Sequence, residues 1–116
     1  MNRKIAGLTR YKQAILDKVV ELVAGEFSIY TEDLFRKSKA NCYSTPRGVA
    51  VGLLRTKYGF GHQLLSDYFG YKSHTSTIYA AKKIDAQLKS DPELQSIVVN
   101  IINNISKEVT LENPKP

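Results

Sequence analysis

Apolar residues recur at helical spacing along most of the chain, and no stretch alternates in the manner of a strand. Ile15, Val19, Leu22 and Val23 predict a helix over residues 10–24, with Gly25 placed to end it. Phe27 and Ile29 form a short apolar link, and Thr31-Glu-Asp-Leu34 predicts a brief second helix with acids in its first turn. Residues 36–44 show no periodicity and read as a basic loop. Thr45-Pro46 reads as an N-cap followed by proline at the first helical position, so the third helix is expected to start there and run to about Tyr58. Val49, Ala50, Leu53 and Leu54 make its apolar face, and Gly59 ends it. Gly48 and Gly52 sit inside this helix at a cost of about 1 kcal/mol each relative to alanine. Something must come close to that face, either a neighbouring helix or an external backbone.

Leu64, Leu65, Tyr68 and Phe69 predict a short fourth helix from about His62 to Phe69, followed by Gly70 and a fifth helix from Ser73 to about Leu88. Two helices joined by a short glycine-containing turn form a helix-turn-helix pattern. At 100° per residue, Thr77, Ala81, Ile84 and Leu88 of the fifth helix share a core face. Thr75, Tyr79, Lys82 and Ala86 lie opposite, flanked by Ser76 and Lys83, and this outward face carries no acid. Ser90-Asp-Pro-Glu93 reads as a capping box that starts the last helix, where Leu94, Ile97, Val98, Ile101, Ile102 and Ile105 form a continuous stripe. That stripe is either core or a dimer interface. The expected fold is all-α: a compact five- to six-helix bundle containing a helix-turn-helix. It forms one domain over residues 1–116, with its core at about 10–107 and a flexible tail at 108–116.

Charge sharpens the picture. The chain has 116 residues and a formal net charge of +6, but the charge is unevenly placed. From Arg36 to Lys83 nine basic residues face a single acid, Asp67, which gives +8; the remainder carries 8 basic and 10 acidic residues, which gives −2. A basic middle suits a polyanionic partner, although it also suits a plain solvated face. The single cysteine, Cys42, rules out an internal disulfide, and with two histidines it offers no metal-ligand spacing. A reducing, cytoplasmic compartment is expected. No apolar run reaches membrane-spanning length.

The start of the fifth helix concentrates short hydrogen-bonding side chains on a basic protein, which suits reading base edges in a DNA major groove. Thr75 can offer its methyl to thymine or its hydroxyl to either kind of base. Ser76 and Tyr79 can donate to phosphate oxygens, and the open N–H groups of a helix start favour an anion. Lys82 and Lys83 extend along the backbone path, and Lys72 in the turn adds another cation. His74 is a base contact or a partly packed histidine at a helix start. Ser73 most simply caps the helix, with base contact as the alternative. Arg47 and Arg55, eight residues apart on one side of the third helix, are phosphate clamps or surface solubilisers. A nucleophile–base–acid reading of Ser73, His74 and Asp67 fails, because adjacent residues at a helix start cannot aim at one another. The chain is therefore not expected to be an enzyme, and no cofactor is implied.

These motifs resemble a known family. Thr45-Pro-Arg-Gly48, Phe69-Gly-Tyr-Lys-Ser-His-Thr-Ser-Thr77 and Tyr79-Ala-Ala-Lys-Lys-Ile84 are similar to the Arg-Pro-Arg-Gln, Phe-Gly-Gly-Arg-Asp-His-Thr-Thr-Val and His-Ala-x-x-Lys-Ile runs of the C-terminal DNA-binding domain of the bacterial replication initiator DnaA. The likeness extends from about Glu21 to Ile105, without a gap from Lys39 to Ile84. It implies a Trp-repressor-like helix-turn-helix that binds short A/T-containing duplex boxes. It implies that His74 and Thr75 read bases and that Lys39 enters the minor groove where the family uses arginine. It further implies that Arg55 contacts the backbone, that Tyr79 lies near the phosphates, that Ser76 takes a backbone or base contact, and that Arg47 matches a basic residue at the start of the third helix. Lysine holds its water more tightly than arginine, so the Lys39 contact is expected to be the weaker. The chain departs from the family at Ser73 (an aspartate that reads a base), Gly48 (glutamine), Tyr71 (glycine), and His62 and Gln63 (an apolar residue and a proline). These changes bear on which box is read more than on DNA binding itself.

The family's full initiator also carries a Gly-x-x-x-x-Gly-Lys phosphate loop, and none of the seven glycines here sits in that pattern. The expected partner is double-stranded DNA, with no membrane and no nucleotide, in replication initiation or its regulation. The alternative is a protein-interaction adaptor of the same fold, using the Ile-rich last helix for a protein partner or a homodimer.

Overall fold

The computed structural model describes residues 9–35, 41–71 and 73–112. Five α-helices and one 3₁₀ turn account for nearly all of them: α1 (Arg10–Glu26), the 3₁₀ turn (Thr31–Phe35), α2 (Asn41–Thr56), α3 (His62–Phe69), α4 (His74–Leu88) and α5 (Pro92–Glu112). The all-α bundle expected from the periodicity is what forms.

Thr9 caps α1 by accepting the Lys12 N–H at 3.1 Å. The helix runs through Gly25, contrary to the sequence expectation, and ends one residue later at Glu26. Ser28 takes the left-handed conformation (φ 57), its N–H bonds the Gly25 carbonyl at 3.2 Å, and the Ile29 N–H reaches back to Ala24 at 3.0 Å. This is a Schellman closure with serine where glycine is usual, and half-buried Ile29 packs against the core as the hydrophobic partner of the reversal. At the 3₁₀ turn, the Asp33 carboxylate accepts from the Tyr30 N–H at 3.0 Å while its own N–H bonds the Tyr30 carbonyl.

The start of α2 is the larger correction. The helix is already formed at Asn41, so Thr45 is not its cap and residues 41–44 are not loop, while residues 36–40 of the expected loop lie outside the described residues. Pro46 lies inside the second turn, where it leaves the Cys42 carbonyl without its usual donor. A proline near a helix start is a strong signal for the first helical position, but here that signal falls a turn too late. At α5 the cap is Asp91 rather than Ser90. The Asp91 carboxylate accepts the Leu94 N–H at 3.1 Å, which places Pro92 at the first helical position. The helix continues to Glu112, past the expected end of the core near 107.

The core joins all five helices and the 3₁₀ turn. Leu16, Val19 and Val23 of α1, Val49, Val51 and Leu54 of α2, and Ile101 and Ile105 of α5 are buried in one cluster. The α5 stripe is therefore core along Leu94, Ile101 and Ile105, with Ile97, Val98 and Ile102 partly buried against it. Phe35, Tyr68 and Phe69 pack ring to ring with centroids 5.1 to 5.5 Å apart. Tyr68, only 1% exposed, satisfies its hydroxyl by donating to Asp17 of α1 at 3.2 Å.

Gly48 and Gly52 face α4. A Cβ on Gly48 would meet Ile84 at 3.6 Å, and one on Gly52 would lie 3.1 Å from Ile84 Cγ2. The close neighbour expected at these glycines is thus a helix. The two sites should respond differently to alanine. Gly48→Ala is expected to stabilise the fold by about 0.5–1 kcal/mol through helix propensity and a less disordered unfolded chain. Gly52→Ala should stay at or below the parent, because Ile84 must shift. Urea midpoints at unchanged slope measure both.

Candidate nucleic-acid interface

The helix-turn-helix is α3, a short turn and α4. Gly70 closes α3 in the left-handed conformation at φ 77, and its N–H bonds the Ser66 carbonyl. The Tyr71 N–H bonds the same carbonyl at 2.9 Å, while the buried Ser66 hydroxyl donates to the Tyr71 carbonyl at 3.3 Å. One small polar residue thus holds the turn from inside. Gly70 is the residue the geometry requires, since a side chain there would be strained.

Behind the turn, Thr77 (fully buried), Ala81, Ile84 and Leu88 face the core, as the helical wheel indicated. In front, Thr75, Lys82, Lys83 and Ala86 are exposed, Tyr79 is 71% exposed and Ser76 is half-buried. Asp85, the one acid of α4, is also exposed. It lies on the flank, where it lines an apolar groove shared with α2 and α5. The forward face is a row of hydroxyl and ammonium groups without a carboxylate.

Ser73 takes the cap position with extended backbone, and its carbonyl receives the Ser76 N–H at 3.2 Å. Its hydroxyl makes no capping hydrogen bond, although capping was its simplest sequence reading. The side chain is exposed at the mouth of the helix, whose first turn holds no acid. The opening N–H groups of a helix have no intrahelical acceptor, so this end presents partial positive charge outward.

The two arginines of α2 part company. Arg55 is exposed, and its Nε donates to His62 Nε2 at 3.1 Å. Arg47 is only 8% exposed, which sets its guanidinium back from the surface expected of a phosphate clamp. It lies near half-buried Tyr71, the residue that stands where the resemblance has glycine. Burial raises the Tyr71 phenol above its ordinary pKa of 10.0, and the charge of Arg47 opposes that shift. Sequence reasoning missed this packing and the His62–Thr77 link beneath α4. The available signal was Thr77 itself, a polar side chain on a core face, which needs a buried partner. Lys39 and Lys72 lie outside the described residues. His74 is the first residue of α4, and its side chain lies outside the described set.

Comparison with known proteins follows this geometry. Residues 16–84, more than half of the chain and running from α1 into α4, match the family model described as bacterial dnaA protein helix-turn-helix. The chain is 31% identical over 105 residues to the chromosomal replication initiator protein DnaA of Treponema denticola, covering 90% of this chain and 22% of that protein. The same-named proteins of Pelobacter propionicus and Lactobacillus helveticus are 34% identical over 92 residues and 33% over 86. These matches cover 79% and 74% of this chain, and 20% and 19% of the relatives. The chain thus spans about a fifth of the length of the curated relatives it matches.

The raised Tyr71 pKa has a consequence for stability. An unfolded tyrosine ionises near pH 10 while the folded one resists, so this contribution is present below pH 10 and is lost as pH rises through the folded value. Unfolding midpoints at pH 9 and pH 11 should fall further apart in the parent than in Tyr71→Phe.

Proposed function

Since the chain belongs to the bacterial DnaA helix-turn-helix family, we propose that it is a sequence-selective module for double-stranded DNA that reads a short duplex site with the start of α4. The observation that carries this reading is the forward face of α4. It begins at an uncapped-hydroxyl serine, runs through Thr75 and Tyr79 to Lys82 and Lys83, and bears no acid.

The roles follow from the chemistry of each group. Thr75 reads a base edge, with Ser73 and His74 beside it at the helix start. Ser76, Tyr79 and Lys82 take phosphates, as do Arg55 from α2 and Lys72 from the turn. Lys39 enters the adjacent minor groove. Arg47 acts one step back, as charge behind Tyr71, unless DNA draws it out. The module serves replication initiation or its regulation. The adaptor reading loses its main support, because Leu94, Ile101 and Ile105 are already buried within the chain.

Selection of bound duplexes from a random pool, followed by affinity against salt, tests the proposal. With about 5 phosphates neutralised, log affinity should fall with log salt at a slope of roughly −4 to −5. Thr75→Ala should flatten the preference at one base position, at a cost of about 1 kcal/mol or more on the selected site. Lys82→Ala should weaken all duplexes alike and reduce the slope by about 1. Undetectable or salt-independent duplex affinity would exclude this function.

A further inference from the structure

The first residue of α3 joins three helices. Arg55 of α2 donates from Nε to His62 Nε2 at 3.1 Å, and His62 Nδ1 lies 3.0 Å from Oγ1 of Thr77 in α4. That hydroxyl is in turn 3.4 Å from the His62 carbonyl. Chemistry assigns the protons. A guanidinium N–H can only donate, so Nε2 must present its lone pair. The neutral ring then carries its proton on Nδ1 and gives it to Thr77, whose hydroxyl hydrogen is left for the His62 carbonyl. One tautomer satisfies every group in the chain of contacts.

The placement matters more than the bonds. Thr77 is fully buried and belongs to the core face of α4, so it fixes the ring to the helix that presents Thr75 and Tyr79. Arg55 is exposed, and with Nε engaged its terminal Nη groups remain for an outside acceptor. An arginine side chain is otherwise a long, freely rotating cation. We propose that His62 is a positioning residue for DNA binding: as its Nδ1–H tautomer it holds the Arg55 guanidinium in register with α4, so that the cation meets a phosphate already ordered. This rests on the DNA reading above and adds to it a residue that need not touch DNA. Ordering a side chain before association removes part of the entropic cost of binding, which appears as affinity.

Two measurements test it. In the free protein, ¹⁵N spectra should show His62 protonated at Nδ1 with an unprotonated Nε2, and the opposite tautomer overturns the proposal. Duplex affinity is then measured for the parent, His62→Leu and His62→Gln, each with Arg55 and with Arg55→Ala. His62→Leu should weaken binding about 3- to 10-fold when Arg55 is present and less than about 2-fold in Arg55→Ala. His62→Gln, which can accept from Arg55 and donate to Thr77, should restore most of the loss. An equal loss in both arginine backgrounds, or no rescue by glutamine, makes His62 merely structural and overturns the proposal. Should His62→Leu fail to fold by circular dichroism, His62→Asn, too short to reach Arg55, takes its place in the cycle. A parent that binds no duplex overturns the DNA reading and this inference together, whereas a binding parent with uncoupled His62 overturns this inference alone.

Discussion

The close approach of α2 and α4 is the constraint on which the rest depends. Two glycines, one helical turn apart, let Ile84 of α4 lie against the backbone of α2, 3.1 Å from where a Gly52 Cβ would stand. Helices usually pack 8–10 Å apart, with side chains setting the distance. Removing two of those side chains seats α4 deeply and leaves its forward face as its free surface. The approach also brings Arg55, near the end of α2, within reach of the α3 start, where His62 can bridge to Thr77. Packing in the core and cations on the surface are therefore set by one contact.

Charge is distributed unevenly along the same part of the chain. The segment from Arg36 to Lys83, with its charge of +8, supplies α2, α3, the turn and most of α4. Outside it acids and bases are mixed: α1 carries Asp17, Glu21 and Glu26 beside Arg10, Lys12 and Lys18, and further acids lie in the 3₁₀ turn, at Asp85 of α4 and along α5. α1 packs on α2, α5 and the 3₁₀ turn and makes no substantial contact with α4. Within the proposed DNA reading, this excess of cations speeds productive encounter with a polyanion and makes it salt-dependent.

Much of this was legible because helical period and core burial are the same fact seen twice. The limits of α3 and the two faces of α4 emerged from spacing alone, since Leu65, Tyr68 and Phe69 on one helix and Ile84 on the other must all leave water. The C-terminal end of α1 and the start of α2 were not legible for a related reason. Gly25 and Pro46 carry strong local signals, but both lie within helices whose ends are fixed elsewhere: α1 by the reversal at Ser28 with Ile29 packed inward, α2 by a start at Asn41. Local preference of about 1 kcal/mol yields to packing of larger total. At the candidate interface, exposure could be foreseen for Thr75, Tyr79 and Lys82. The retreat of Arg47 could not, because it comes from tertiary packing that brings Tyr71, far along the chain, close enough to feel its charge. No periodicity encodes that contact.

The free hydroxyl of Ser73 bears on what such a module could distinguish. Where the resemblance has an aspartate, an ionised carboxylate can only accept, so it favours a base edge that donates, such as the cytosine amino group. A serine hydroxyl rotates and can either donate or accept, so at the same place it tolerates either kind of edge. Within the proposed DNA reading it also removes a negative charge from a helix N-terminus turned toward phosphates, and that charge would repel the polyanion even as it selects a base. Exchanging aspartate for serine thus trades discrimination at one position for attraction at all of them. Because the hydroxyl is not consumed in capping α4, the exchange leaves a polar group at the groove rather than a blank. Within the proposed DNA reading, the sequence preference of this chain then rests more heavily on Thr75 and on the registry of α4 than on the residue at the helix mouth.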